Sequence, residues 1–199
     1  MNDTTLWICC GVLRKEMEYL ISQGDISGEM MFWDSMLHMV PLELEKRLSL
    51  ILSGMADQVR PMVLVVGDCS PHMLNIAEEY KIGRVDAINC EEMLFGKSRY
   101  KELMHAGAFI VLPEWALRWK EIMNKELGLY DDVAKEFMQD SRMEMVYCDT
   151  GLHAVPYDIL HTFSEYTGLP LMIEKVDMCA FTRSLHDAEA HARQLIGEE

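Results

Sequence analysis

Apolar positions along the chain fall into two periods, and the period changes repeatedly from one segment to the next. Leu6 to Cys10 is a short continuous apolar run closed by Gly11, and Leu13 to Ile21 follows with Met17, Leu20 and Ile21 at helical spacing. Glu29 to Asp34 reads as a short strand before a loop carrying His38, and Pro41 can open a helix over Leu42 to Gly54, where Leu44, Leu48 and Leu52 recur every four residues. Met62 to Gly67 is a β-branched run whose unbroken apolar character suits a strand covered on both faces. The same alternation predicts a helix over Pro71 to Tyr80, a strand over Val85 to Cys90, a helix from Glu91 to about Met104 and a strand over Ala108 to Leu112. Helices over Glu114 to Leu127 and Asp131 to Gln139, a strand over Met143 to Cys148, a helix over Pro156 to Tyr166 and a strand over Leu171 to Val176 come next. Ser184 to Ile196 closes the pattern as an amphipathic helix with Leu185, Ala188, Ala192 and Leu195 on its apolar stripe.

Strands alternating with helices imply a mostly parallel sheet with helices on both faces and right-handed crossovers, a Rossmann-like three-layer α/β fold. No Pro/Gly/Ser linker, fixed-period repeat or low-complexity tract divides the chain, so a single α/β domain over residues 1–199 is expected. At 199 residues such a domain buries roughly 70% of its unfolded surface.

Charge narrows the partners. Eighteen Lys and Arg against 33 Asp and Glu leave a formal charge of −15, which repels phosphate backbones and anionic lipid surfaces. Neither nucleic acid nor membrane is an expected partner. No apolar run is long enough for a membrane span, and the amino terminus lacks the basic start and long apolar core of a signal peptide, so a cytoplasmic location is expected. In that reducing setting the six cysteines are free thiols rather than a disulfide framework. The 17 methionines are core fillers in the first instance.

Four of the cysteines share one topological address. Cys10 closes the first predicted strand, Cys69 follows the second long one, and Cys90 and Cys148 end later strands. The carboxyl ends of parallel strands lie along one sheet edge, where ligands bind at the topological switch point, so Cys10, Cys69 and Cys90 can converge there. Thiolates in a cluster favour zinc, an iron–sulfur cluster or another thiophilic metal, and His38 can add a nitrogen ligand. The candidate metal set is therefore Cys10, His38, Cys69 and Cys90. Cysteine is also a small hydrophobe that fills strand ends, but the flanks Cys10-Gly11, Gly67-Asp68-Cys69-Ser70 and Asn89-Cys90-Glu91 are turn-forming or polar. No CxxC pair is present, and Cys9 and Cys10 must face opposite ways if both lie on a strand.

Gly96-Lys97-Ser98 mimics the end of a phosphate-binding loop, yet Glu91 stands where that motif needs glycine. GxGxxG, GxSxG and HExxH are all missing. The remaining histidines, His72, His105, His153, His161, His186 and His191, have no metal spacing. Arg84, just before a predicted strand, can orient a carboxylate or phosphate of a ligand, or simply form an ion pair. Trp115 and Trp119 lie four apart on one helix face, where they serve as core or as a stacking wall beside a planar cofactor, Trp115 being the candidate.

Cys10-Gly11-Val12 with its acidic helix, Leu37-His38 before Pro41, Gly67-Asp68-Cys69, Arg84, Asn89-Cys90, Leu94-Phe95-Gly96-Lys97-Ser98 with Tyr100, and Gly107 to Pro113 with Trp115 resemble the family called domain of unknown function sixteen-thirty-eight. The resemblance spans about residues 6–130. It places the Cys-Gly start, the His, the Gly-x-Cys and the Asn-Cys in the family's order, and it implies a shared site. Many members have Gly-x-Cys-Gly where this chain has Cys69-Ser70. The resemblance further implies methanogenic archaea and anaerobic bacteria as hosts, and a role in corrinoid-dependent one-carbon methyl transfer with a corrinoid protein or methyltransferase as partner. Three functions follow as alternatives: a zinc protein serving methyl transfer, an iron–sulfur redox or corrinoid-activation protein on the same ligands, or a metal-free interaction scaffold.

Overall fold

The computed structural model describes residues 4–55 and 58–197, which form two compact units. The first runs through Leu94 and takes up the chain again from Met178, and the second is Phe95–Asp177. In the first unit β1 (Leu6–Cys10) is buried at all five positions, as a strand covered on both faces must be. It lies between β2 (Glu29–Trp33) and β3 (Met62–Val65), and β3 pairs in turn with β4 (Gly83–Arg84), giving a parallel sheet in the order β2-β1-β3-β4. Register pairs Cys10 with Trp33 and Cys9 with Val65. The chain steps one way from β1 to β2 and the other way to β3, so the switch point falls between β1 and β3.

Helix α1 (Arg14–Gln23) follows a single 3₁₀ turn at Gly11–Leu13 and buries Met17 and Leu20. Proline at the first position opens α2 (Pro41–Ser53), whose Leu44, Leu48 and Leu52 are buried, each worth about 1.5–3 kcal/mol relative to exposure. Helix α3 (Met73–Glu79) is short. The last helix, α8 (Cys179–Gly197), packs on β3 and β4 through Phe181, Leu185, Ala188 and Ala192, a spacing of three and four that makes one apolar stripe.

Helix α4 (Cys90–His105) is interrupted at Gly96, whose φ of 75° and ψ of 155° are not helical. The second unit carries a parallel sheet in the order β5-β6-β7, formed by β5 (Ala108–Val111), β6 (Glu144–Asp149) and β7 (Leu171–Lys175). Three more helices belong to it: α5 (Pro113–Glu121), continued by a π-helical turn at Ile122–Glu126, then α6 (Asp131–Ser141) and α7 (Tyr157–Thr167). Its core stacks Trp119 on Phe163 at 4.7 Å between ring centroids, with Phe109 edge-on to Phe163 at 5.9 Å.

The α/β class with parallel strands is as the alternation predicts, but the strands make two sheets where one was expected. The expected strand Val85 to Cys90 is instead a connection that follows the two-residue β4, and Cys90 is the first residue of α4. The hydrogen bond from Val85 N to Leu64 O is the last link to β3, after which Asn89 caps the helix. Helix α8 starts at Cys179, five residues before its expected start. Among the described residues no helix is long and apolar enough to cross a membrane.

Candidate functional site

Cys10, Cys69 and Cys90 all belong to the first unit, at the carboxyl end of its sheet. Cys10 is the last residue of β1, and Cys69 stands four residues beyond the end of β3, so the two flank the switch point. Gly67 brings in the third. A Cβ at that position would lie 2.4 Å from Ile88 O, 2.5 Å from Asn89 Cα and 2.7 Å from Asn89 N, so only glycine lets the two backbones touch. Asp68 N then donates to Ile88 O at 2.8 Å, tying the Cys69 loop to the segment before Cys90.

That segment is held by reciprocal capping at the start of α4. Asn89 Oδ1 accepts from Glu92 N at 2.8 Å, while the Glu92 carboxylate accepts from Ile88 N at 2.8 Å. Gly11 does the corresponding job beside Cys10: a Cβ there would meet Trp33 O at 2.5 Å. It allows the turn after β1 to lie against the turn after β2, where His38 sits.

The three thiols feel one another. A hydrogen bond to Cys10, then burial, then the charges of Cys10, Cys69 and Glu91 hold the Cys90 thiol well above its ordinary value. Burial pushes the Cys69 thiol up to about 11, and Cys10, Glu91 and Asp68 add to it. Cys10 and Cys90 are 4% and 8% exposed, whereas Cys69 is half-buried and is the open member of the group. Cys69 and Cys90 are therefore neutral thiols at pH 7 unless a cation replaces their protons. Among the described residues no set of three or more His, Cys, Asp or Glu side chains already stands in metal-binding geometry.

His38 lies on the 3₁₀ turn Ser35–Met39, five residues past the register partner of Cys10. Its Nδ1–H donates to the Ser35 carbonyl, which makes Nε2 the lone-pair nitrogen of the ring. Arg84 ends β4 with its side chain only 10% exposed, and Nη1 lies 2.7 Å from Asp68 Oδ1, an ion pair off the line of a hydrogen bond. Arg84 thus braces the Cys69 loop from one side. From the other, Glu45 on α2 meets Ser70 and His72, and the Ser70 hydroxyl and then His72 hold its carboxyl below the usual range.

The other candidates stand on other elements. Cys148 is the last residue but one of β6, in the second unit's separate sheet, so the address it was expected to share with Cys10 came from assuming one sheet. Cys9 is fully buried, and burial raises its thiol. Cys179 is exposed at the start of α8. Trp115 is a half-buried residue of α5 in the second unit, while Trp119 is core there. Sequence reasoning passed over Glu91 as a ligand neighbour. Its carboxyl acts on both Cys69 and Cys90 and is itself raised by burial. Its adjacency to Cys90 was the available signal, and it had been read only as a bar to phosphate.

Residues 32–185 match the family model described as "Protein of unknown function (DUF1638)". The matched span holds His38, Cys69, Arg84, Cys90 and Trp115, begins after Cys10, and continues well beyond residue 130, where the resemblance was expected to fade. No curated protein and no solved structure matches the chain.

Proposed function

We propose, from the premise that the chain belongs to the DUF1638 family, that its first unit binds one thiophilic metal ion on Cys10, Cys69 and Cys90, with His38 as nitrogen donor. The observation that carries this reading is that Cys10 ends β1, Cys69 follows β3 and Cys90 opens α4, with Cys10 and Cys69 flanking the switch point of one parallel sheet. Zinc is chosen by ligand type, since three sulfurs and an imidazole complete a tetrahedral set. The Nδ1–H bond from His38 to a backbone carbonyl is the outer support that metal-bound histidines ordinarily have. The close contacts at Gly11 and Gly67 hold the segments that carry the three cysteines against their neighbours.

In such a site the metal would supply Lewis acidity and hold thiolates at neutral pH. The chain's own groups do the rest. Cys10 and Cys90 supply buried sulfurs, the half-buried Cys69 faces the approach, and Arg84 through Asp68 fixes the loop that carries it. Service in corrinoid-dependent methyl transfer, beside a corrinoid protein or methyltransferase, is the role proposed for this site, and it rests on the family resemblance alone.

Titration of metal-free protein with cobalt(II) tests the site directly. Thiolate-to-cobalt charge-transfer bands and intense d–d bands saturating at one equivalent are expected, with zinc displacing them. Cobalt spectra of a hydrated, oxygen-bound ion would overturn the proposal.

A further inference from the structure

Arg84 is a buried cation beside the Cys69 loop, and the metal reading gives it only a bracing role. It ends β4, and Gly83 before it lies so close to α8 that a Cβ there would meet Ala188 O at 2.4 Å. Successive residues of a strand face opposite ways, so the Arg84 side chain leaves the sheet on the face away from α8. Its register partner is Leu64, one residue before the end of β3, the strand that leads into Cys69.

The guanidinium there is nine-tenths buried, and its fit to Asp68 is poor. Nη1 lies 2.7 Å from one Asp68 oxygen, yet it makes no hydrogen bond among the described residues. Arg99 in the second unit shows the ordinary arrangement: its Nε and Nη2 donate to the two Glu174 oxygens at 2.7 and 2.8 Å, a two-bond fork. Asp68 has a shorter side chain, and its own N–H is tied to Ile88 O, so it offers one oxygen off the line of the donor. Its carboxylate is also 44% exposed and hydrates readily when it lets go. A buried arginine with an ill-fitting, half-exposed counter-ion stands at the edge where open parallel sheets take their ligands, which is the chemistry of an anion receptor with a replaceable partner.

We propose that Arg84 binds the carboxylate of a small organic acid, which displaces Asp68 and takes the two-bond fork. The inference deepens the metal reading by naming the substrate class of that site: Cys69 is the residue after Asp68, so an acid seated on Arg84 lies beside a proposed metal ligand. Charge favours a single carboxylate over a phosphate. Exchanging one carboxylate for another keeps Arg84 matched, whereas a phosphate dianion adds negative charge next to a loop that already carries Asp68 and meets Glu45 and Glu91.

The test uses the full chain labelled with heavy-nitrogen arginine, as isolated and again after dialysis against a chelator, with propionate as the probe. The Arg84 Nε–Hε resonance is identified by its loss in Arg84→Lys or, should that variant not fold, as the arginine resonance most displaced by Asp68→Asn. Propionate is expected to shift it saturably in both preparations, while chloride at the same ionic strength leaves it in place. Asp68→Asn removes the competing carboxylate and is expected to lower the half-saturating propionate concentration about tenfold, the worth of one charge-assisted hydrogen bond. Three results overturn the proposal: an Arg84 resonance that propionate moves in neither the parent nor Asp68→Asn, an equal shift with chloride, or phosphate saturating at a lower concentration than propionate. Zinc uptake by the chelator-treated sample reads the metal proposal separately. Propionate binding without zinc uptake leaves the carboxylate site standing, and zinc uptake without propionate binding overturns it while the metal reading stands.

Discussion

Replacing Gly67 by alanine would put a methyl carbon 2.4 Å from the Ile88 carbonyl oxygen and 2.5 Å from Asn89 Cα. Both obstacles are backbone, so no side chain can swing aside, and the Cys69 loop must move off the α4 cap by about 1 Å to restore ordinary contact. Overpacking of that kind costs about 1–3 kcal/mol, and losing the bond from Asp68 N to Ile88 O adds about 0.5–1.5 kcal/mol, for a total near 2–4 kcal/mol. For a chain of this length that corresponds to a fall in Tm of about 5–15 °C. Gly54→Ala is the control. Gly54 ends α2 at φ −68°, and its nearest atoms would be at 3.5 Å, so this variant is expected to gain about 0.4–1 kcal/mol through the unfolded state. Urea unfolding followed by circular dichroism compares the two with the parent, and a zinc competition titration then asks whether Gly67→Ala also weakens the metal. A Gly67→Ala protein as stable as the Gly54→Ala control would refute the contact, and with it the route by which Cys69 reaches Cys90.

Cys69→Ser and Cys90→Ser should each weaken zinc by more than about 100-fold, beyond the cost of altering an outer-shell partner, as read by competition with a chromogenic chelator. Arg84→Met leaves Asp68, 44% exposed, free to hydrate, so a loss of about 1–2 kcal/mol in urea unfolding is expected rather than the larger cost of a fully buried pair. The pH dependence follows from the raised thiols. A thiol whose folded value lies above its unfolded one near 8.5 contributes stability that is whole below that pH and is lost as pH rises through the folded value, about 11 for Cys69. The metal-free protein should therefore weaken from about pH 9 upward, and Cys69→Ser should flatten that slope; an alkaline profile identical in the two would contradict the burial of this thiol.

The α/β class was legible because β1 and β3 carry unbroken apolar runs and α2 and α8 carry stripes spaced by three and four. Which strands pair was not. Register between β1 and β3 joins Leu6 to Met62, and no local pattern marks such a partner, so two sheets read as one. Val85 and Ala87 are buried while Asp86 and Ile88 are exposed, an alternation that imitates a strand, and the Asn89 cap, which places Cys90 in a helix, had been taken as a turn flank. The placing of Cys10 at the end of β1 and of Cys69 after β3 was legible from strand-end topology, whereas Cys90 stands on a helix. Cys148 misled because it too lies near the end of a strand, but in the other sheet. The bracing of Asp68 by Arg84 and the reach of Glu91 are tertiary facts without a sequence period.

Elemental analysis of protein purified under strict anaerobiosis, read together with its visible absorption spectrum, bears most directly on the proposed site. About one zinc per chain with no visible colour is the expected result, since three thiolates and one imidazole fill a single tetrahedral ion. Stoichiometric iron with a broad band near ~400 nm would move the same ligands to redox chemistry, and protein that takes up no metal even after loading would contradict the metal reading outright.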